Sequence, residues 1–316
     1  MTTYKEIFGK YVKNYSSDPT ADIEGQIWYN TTSGTFKSEV LVAGAWAAGG
    51  NLTTARYGLA GAGTQTAGLG FGGYSTTYLN ATEEYDGSAW GPGGNLTTAR
   101  YLLAGIGTQT AGLAVSGAIS TGITASTEEY DGTSWGPGGN LGTGRYQMGA
   151  AGIQTAGLVF GGRIPTTAAS EEYDGSSWTA GGSLSTGRYA LGGAGIQTAA
   201  LAFGGETTVF LTNTEEYDGA SWTAGGNLNT ARHNLTGDGT QTSALAFGGG
   251  PPNSNATEQY DGTSWTSVSP MATARRLLAG AGTQTAGLAF GGFTTGSVAN
   301  TEEFTGGLTV KTITTS

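Results

Sequence analysis

The chain of 316 residues carries 13 Lys and Arg against 23 Asp and Glu, a net charge of −10, and no cysteine. That balance offers no basic footprint for a nucleic-acid backbone or an anionic membrane, and it excludes disulfide and thiolate chemistry. The 59 glycines far exceed a usual share of about 7%, yet 15 Tyr, 10 Phe and 7 Trp supply anchors that disordered chains lack.

Residues 1–37 stand apart in chemistry. Lys5, Lys10, Lys13 and Lys37 are four of the five lysines, and residues 38–306 contain none. Tyr4, Ile7, Phe8, Tyr11 and Val12 fall at helical spacing and predict a short amphipathic helix ending before Ser16. The following stretch reads as a hairpin, with Ile27, Tyr29 and Phe36 alternating around Thr31-Thr32-Ser33-Gly34. No run of 18 apolar residues occurs, and the opening segment is charged where a signal peptide is apolar, so membrane insertion is not expected.

From Trp46 the chain repeats. Arg56, Arg100, Arg145, Arg188, Arg232 and Arg275 recur at steps of 44, 45, 43, 44 and 43 residues. Gln65, Gln109, Gln154, Gln197, Gln241 and Gln284 keep the same period. So do Tyr85, Tyr130, Tyr173, Tyr217 and Tyr260, with Phe304 in the sixth place, and Trp46, Trp90, Trp135, Trp178, Trp222 and Trp265. A period in the forties, without helical spacing and with frequent turn signals, predicts an array of small β units. In the first unit, residues 56–63 read as strand a, 67–73 as strand b, 82–87 as strand c and 88–90 as the start of strand d. Asp86-Gly87 predicts a tight type I′ hairpin between c and d. Six sets imply six blades, with residues 308–314 expected as strand d of the last blade and residues 39–46 beside them. A seventh blade drawn from residues 25–46 lacks a second C-terminal strand to complete it.

The pattern resembles the kelch repeat, with an Arg entering the first strand, a Gly-Gly after the second, and a spaced Tyr and Trp on the third and fourth. The double glycines are Gly72-Gly73, Gly161-Gly162, Gly204-Gly205, Gly248-Gly249 and Gly291-Gly292, with Ser116-Gly117 in the second unit. The Tyr-to-Trp spacing is shorter than in kelch repeats, and strand a lacks their histidine-bearing motif. The resemblance implies an all-β, six-bladed kelch-like β-propeller over residues 38–316, preceded by an attachment segment and hairpin over 1–37. It also implies six structural ion pairs, between the six arginines and Glu83, Glu128, Glu171, Glu215, Glu258 and Glu302.

The connections of this array differ in one place. The b–c loops, at 74–82, 118–127, 163–170, 206–214, 250–257 and 293–301, vary from unit to unit, while the other connections stay nearly constant. Alternating strands put all six on one face, and rigid scaffolds with variable loops commonly bind there. Tyr74, Tyr78, Arg163, Phe210 and Phe293 are the expected anchors, because aromatics and Arg carry most hot-spot energy.

Catalysis is not expected. The only histidine, His233, reads as a surface variant, and no Ser-His-Asp or Cys-His set is expected around it. Nearly all carboxylates belong to the repeat, and none clearly breaks it as a glycosidase pair should. Asp86, Asp131, Asp174, Asp218 and Asp261 are explained by turns without calcium, and no metal or cofactor is expected.

The N-terminal segment and hairpin resemble structural proteins of tailed bacteriophages of marine bacteria, in which such a head precedes Gly/Thr/Ala-rich kelch-like arrays. This implies a tail-fibre, tail-tip or surface-decoration protein of the virion, joined to other virion proteins through residues 1–37 and facing a host-surface glycan or receptor. The alternatives are a cellular kelch-type interaction module and, less favoured, a carbohydrate-active enzyme. Oligomeric state stays open.

Overall fold

The structure, a computed structural model, describes residues 13–16 and 27–312. All regular elements among them are β-strands. They fall into two compact units, one spanning Ala45–Thr305 and the other comprising the described residues before and after it.

In the smaller unit Ile27–Asn30 pairs antiparallel with the start of Thr35–Ala48, in the register Ile27↔Ser38 to Asn30↔Thr35. The four intervening residues close through a hydrogen bond from Gly34 N–H to Asn30 O at 2.8 Å. The Asn30 side chain also accepts from the Thr32 and Ser33 amides at 3.0 and 2.9 Å. The predicted hairpin is therefore present, but with the opposite face inward: Trp28 and Asn30 are buried, whereas Ile27 is exposed. Lys13–Tyr15 adds a parallel strand beside Trp28–Asn30. The helix expected over residues 4–12 lies outside the described residues.

Ala45–Thr305 is a six-bladed β-propeller. Blade 1 runs from the channel outward as Ala60–Thr64, Ala67–Phe71, Thr82–Tyr85 and Trp90–Pro92. Blades 2 to 5 repeat this order from inner strands Ala104–Thr108, Gly149–Ile153, Gly192–Ile196 and Thr236–Thr240. Blade 6 takes Ala279–Gly282, Ala286–Phe290 and the first residues of Thr301–Thr312, and its outermost strand is the end of Thr35–Ala48. Residues 308–312 therefore do not form strand d as expected. They prolong strand c, and the Trp46 segment fills the outer place, its edge fixed by Gly49 N–H to Thr301 O at 3.0 Å.

Small residues let the inner strands converge. A methyl group on Gly61 of blade 1 would lie 2.3 Å from the Gly280 carbonyl oxygen of blade 6. Larger side chains fill the wider spaces further out: Leu69, Phe71 and Tyr130 are buried between blades 1 and 2, with Phe71 4.8 Å from the ring of Trp135. The c–d turns differ from the expected type I′ form. Tyr85 pairs with Trp90, leaving four residues between, and only Gly87 has positive φ, at 90°. The Asp86 carboxylate organises the loop by accepting the Ser88 and Ala89 amides at 2.8 Å each. Those hydrogen bonds hold its pKa below the ordinary value, as they do at the equivalent positions, to about 2 at Asp174 and Asp261.

Candidate functional site

The repeated polar residues are absorbed by the scaffold. Each of the six arginines enters its blade buried and meets the glutamate of strand c: Arg56–Glu83 and Arg145–Glu171 at 2.5 Å, Arg188–Glu215 at 2.9 Å, Arg232–Glu258 at 2.8 Å, Arg275–Glu302 at 3.1 Å, and Arg100–Glu128 likewise. Arg188 Nη1 also donates to the Gly204 and Asn213 carbonyls, while Glu215 Oε2 accepts the Ser185 amide at 2.7 Å. Burial lowers the guanidinium pKa of Arg56, Arg100, Arg188 and Arg232, and that of Arg275 to about 10, against the opposing pull of the paired glutamates. All six guanidinium groups are paired with glutamates and held away from solvent, so they are committed to the scaffold and are not free to meet a ligand in the channel.

Three further sets join blades to their predecessors, the first two at all six junctions and the third at five. The indole N–H of Trp135 donates to Thr82 Oγ1 at 2.9 Å, and Trp46, closing the ring, donates to Thr257 Oγ1 at 3.0 Å. The Gln109 amide donates to the Gly68 and Tyr85 carbonyls at 3.1 and 2.7 Å, a staple repeated by all six glutamines. The third set is a latch from each tyrosine hydroxyl to the second glutamate of the preceding strand c: Tyr130 to Glu84 and Tyr260 to Glu216 at 2.6 Å, Tyr173 to Glu129 and Tyr217 to Glu172 at 2.5 Å, and Tyr85 to Glu303. Burial, then the carboxylate, pushes these phenols up to about 12.

Between blades 5 and 6 the latch is missing on both sides, because Phe304 replaces the tyrosine and Gln259 the glutamate. A third change belongs with them. A methyl group on Gly225 would sit 2.8 Å from the Tyr260 hydroxyl, and the equivalent residue facing Phe304 is Val268, which packs against the cluster containing Phe304.

The face carrying the b–c loops is built around the residues that follow the six arginines: Tyr57, Tyr101, Tyr146, Tyr189, His233 and Arg276. Each pairs through its backbone with the start of its own b–c loop, at Tyr74, Ala118, Arg163, Glu206, Gly250 and Phe293 respectively. The next residues, Gly58, Leu102, Gln147, Ala190, Asn234 and Leu277, all adopt positive φ of 52–60°. Their amides each donate to the carbonyl of the corresponding residue in the preceding blade, at 2.6–2.9 Å, in a closed cycle of six around the mouth of the channel.

Tyr74, Tyr78 and Phe293 come together on this face, with Tyr57 and Tyr101 completing the group. Ring centroids are 5.2 Å apart for Tyr57–Phe293 and Tyr78–Tyr101, and 5.4–5.7 Å for Tyr74–Tyr78, Tyr57–Tyr74 and Tyr74–Tyr101. All five are half-buried. The Arg276 guanidinium lies 5.0 Å from the Phe293 ring and donates to Asn253 Oδ1 at 3.0 Å. Burial raises the phenol pKa of Tyr57 and Tyr101, and neighbouring tyrosines add to it.

Arg163 and Phe210 join other residues. Arg163 lies 4.8 Å over the Tyr189 ring, and Phe210 lies 4.6 Å from His233. His233 is itself half-buried and contacts Glu206 through Nδ1 at 2.5 Å, so the expected surface variant is also a packed member of the face. The sequence reading missed Tyr57 and Tyr101 because they sit beside the periodic arginines and read as part of the repeat. A signal was nonetheless present: four tyrosines, one histidine and one arginine at a single repeat position.

Among the described residues, no three His, Asp or Glu side chains gather as a metal cluster would. Comparison with protein-family models finds none that matches the chain, and comparison with curated proteins finds no match either.

Proposed function

We propose that this chain is a non-enzymatic structural component of a tailed-bacteriophage virion, such as a tail fibre, tail tip or surface decoration, and that its b–c loop face binds a host-surface glycan or receptor. Residues 1–37 serve as its attachment to other virion proteins in this reading. The observation that carries the binding role is the assembly of Tyr57, Tyr74, Tyr78, Tyr101 and Phe293 into one half-buried aromatic patch on the only variable face. The aromatic faces suit stacking, and the phenol hydroxyls suit hydrogen bonding, which together fit a polyhydroxylated ligand. The kelch-like repeat and the phage-like head support the placement on a particle by resemblance.

Purified particles from the source, probed by mass spectrometry and electron microscopy, test the virion assignment, since absence of the chain from them would overturn it. The binding face is tested by adsorption of the purified protein to host cells. Tyr78→Ala and Phe210→Ala are expected to weaken adsorption about tenfold or more while leaving the melting temperature nearly unchanged. Equal loss of folding and adsorption would refute the assignment of these residues to a binding surface.

A further inference from the structure

Blade 5 breaks the repeat on the face it turns toward blade 6. Asp238, on its inner strand, stands where the other blades have Ala62, Ile106, Ala151, Ala194 and Ala281. Ser243 replaces an alanine found in the other five units, and Gln259 replaces the latch glutamate. The register places Asp238 opposite Leu245 and Leu245 opposite Gln259, one row across the sheet. That row addresses blade 6, because a methyl group on Gly287 there would lie 2.8 Å from Leu245 Cδ2.

The Asp238 side chain is buried, at 8% residue exposure, in the wall of a central cavity of about 230 Å³. Its oxygens lie against Gly280 of blade 6, where a methyl group would sit 3.0 and 3.2 Å from them. Asp238 Oδ2 has no hydrogen-bond partner among the described residues, and apart from repeat arginine nitrogens it is the one buried side-chain polar atom in that condition. A buried carboxylate is stable when paired or when it coordinates a metal. No described arginine or lysine is paired with it. The rest of the wall comes from the glycine-rich inner strands, together with Asn234, Gln147 and Thr236.

We propose that the central channel binds a hard divalent cation at Asp238, between blades 5 and 6. Carboxylate and main-chain carbonyl oxygens are donors such ions prefer, whereas the Asn234 Oδ1 in the same wall already accepts from Gln147 Nε2 at 2.8 Å. With a single carboxylate, affinity falls at the weak end for calcium sites, about 10⁻⁴–10⁻³ M. Bound to the folded state alone, the ion raises the melting temperature by mass action. Burial pushes the carboxyl well above its ordinary pKa when no cation neutralises it.

The test is calorimetric titration and thermal melting of the full chain at pH 7, stripped of metal and held at constant ionic strength, with CaCl2 and separately MgCl2. Saturable calorimetric binding of one ion per chain is expected, with a melting temperature that rises by about 3 °C at tenfold the dissociation constant and continues to climb with the logarithm of concentration. Asp238→Asn and Asp238→Ala should abolish both, and both variants should fold, since one is isosteric and the other restores the repeat residue. Unchanged binding in the variants would place the ion elsewhere and overturn the proposal. So would a wild-type protein that binds neither ion and gains stability only on acidification, because its carboxyl would then simply be held protonated.

Discussion

Arg188 illustrates how firmly a single residue is committed in this repeat. Its guanidinium and the Glu215 carboxylate are both buried, and each satisfies main-chain groups as well as the other. Such pairs add little net stability over apolar residues, but losing one partner strands the other charge. Arg188→Met is therefore expected to destabilise folding by about 3–5 kcal/mol in urea unfolding. Arg188→Met with Glu215→Leu should cost less than Arg188→Met alone, an inversion that additive losses would contradict. Asp238 has the opposite character, a buried carboxyl group with no cationic partner among the described residues. Burial penalises its charged form and raises its folded pKa well above the ordinary carboxylate value, so it favours folding at low pH. That contribution disappears as pH rises from about 4 through the folded pKa. In metal-free buffer, stability should fall over that window, and Asp238→Asn should flatten the profile.

At the scale of elements, the blade 5–blade 6 interface holds a coordinated set of changes. Phe304, Gln259 and Val268 stand where the latch needs tyrosine, glutamate and glycine. Phe304→Tyr alone is expected to destabilise by about 1–3 kcal/mol, since its hydroxyl meets the Val268 side chain. Adding Val268→Gly and Gln259→Glu should recover the loss, with a coupling of about 1–2 kcal/mol in a mutant cycle. Strict additivity would show that the three positions act independently. Much of this architecture was legible, because the blade count and strand order follow from the period of Arg, Tyr and Trp. The c–d turn was misread because Asp86-Gly87 is compatible with two loop lengths, and the side-chain hydrogen bonds of Asp86 select the longer. Tyr57 and Tyr101 escaped notice for a different reason: strand contacts across a loop bring them to Tyr74 and Tyr78, and no spacing in the chain encodes that meeting. Asp238 was visible as a departure from the repeat but was overlooked among small residues.

For the whole molecule, closure depends on a strand from before the first blade. Trp46 packs 5.1 and 5.2 Å from Phe247 and Phe304 and donates to Thr257, so blades 5 and 6 share it. Removing residues 1–37 should leave the propeller melting as before while abolishing incorporation into particles. Removing residues 1–48 takes away Trp46 and the outer strand of blade 6, and unfolding should then begin there. Trp46 is half-buried, so its loss should cost less than the about 3–5 kcal/mol of a fully buried tryptophan, a difference that melting of the two truncations would read directly.

The six amides at the mouth of the channel donate in one rotational sense, each to the blade before it. Peptide dipoles arranged head to tail around a circle sum to almost nothing along the axis, unlike those stacked in a helix. An approaching ion therefore feels little pull from the main chain at that opening. The electrical character of the entrance belongs instead to side chains on the loop face such as Arg276, Glu206 and Arg163, whose substitution changes its sign without removing the main-chain cycle.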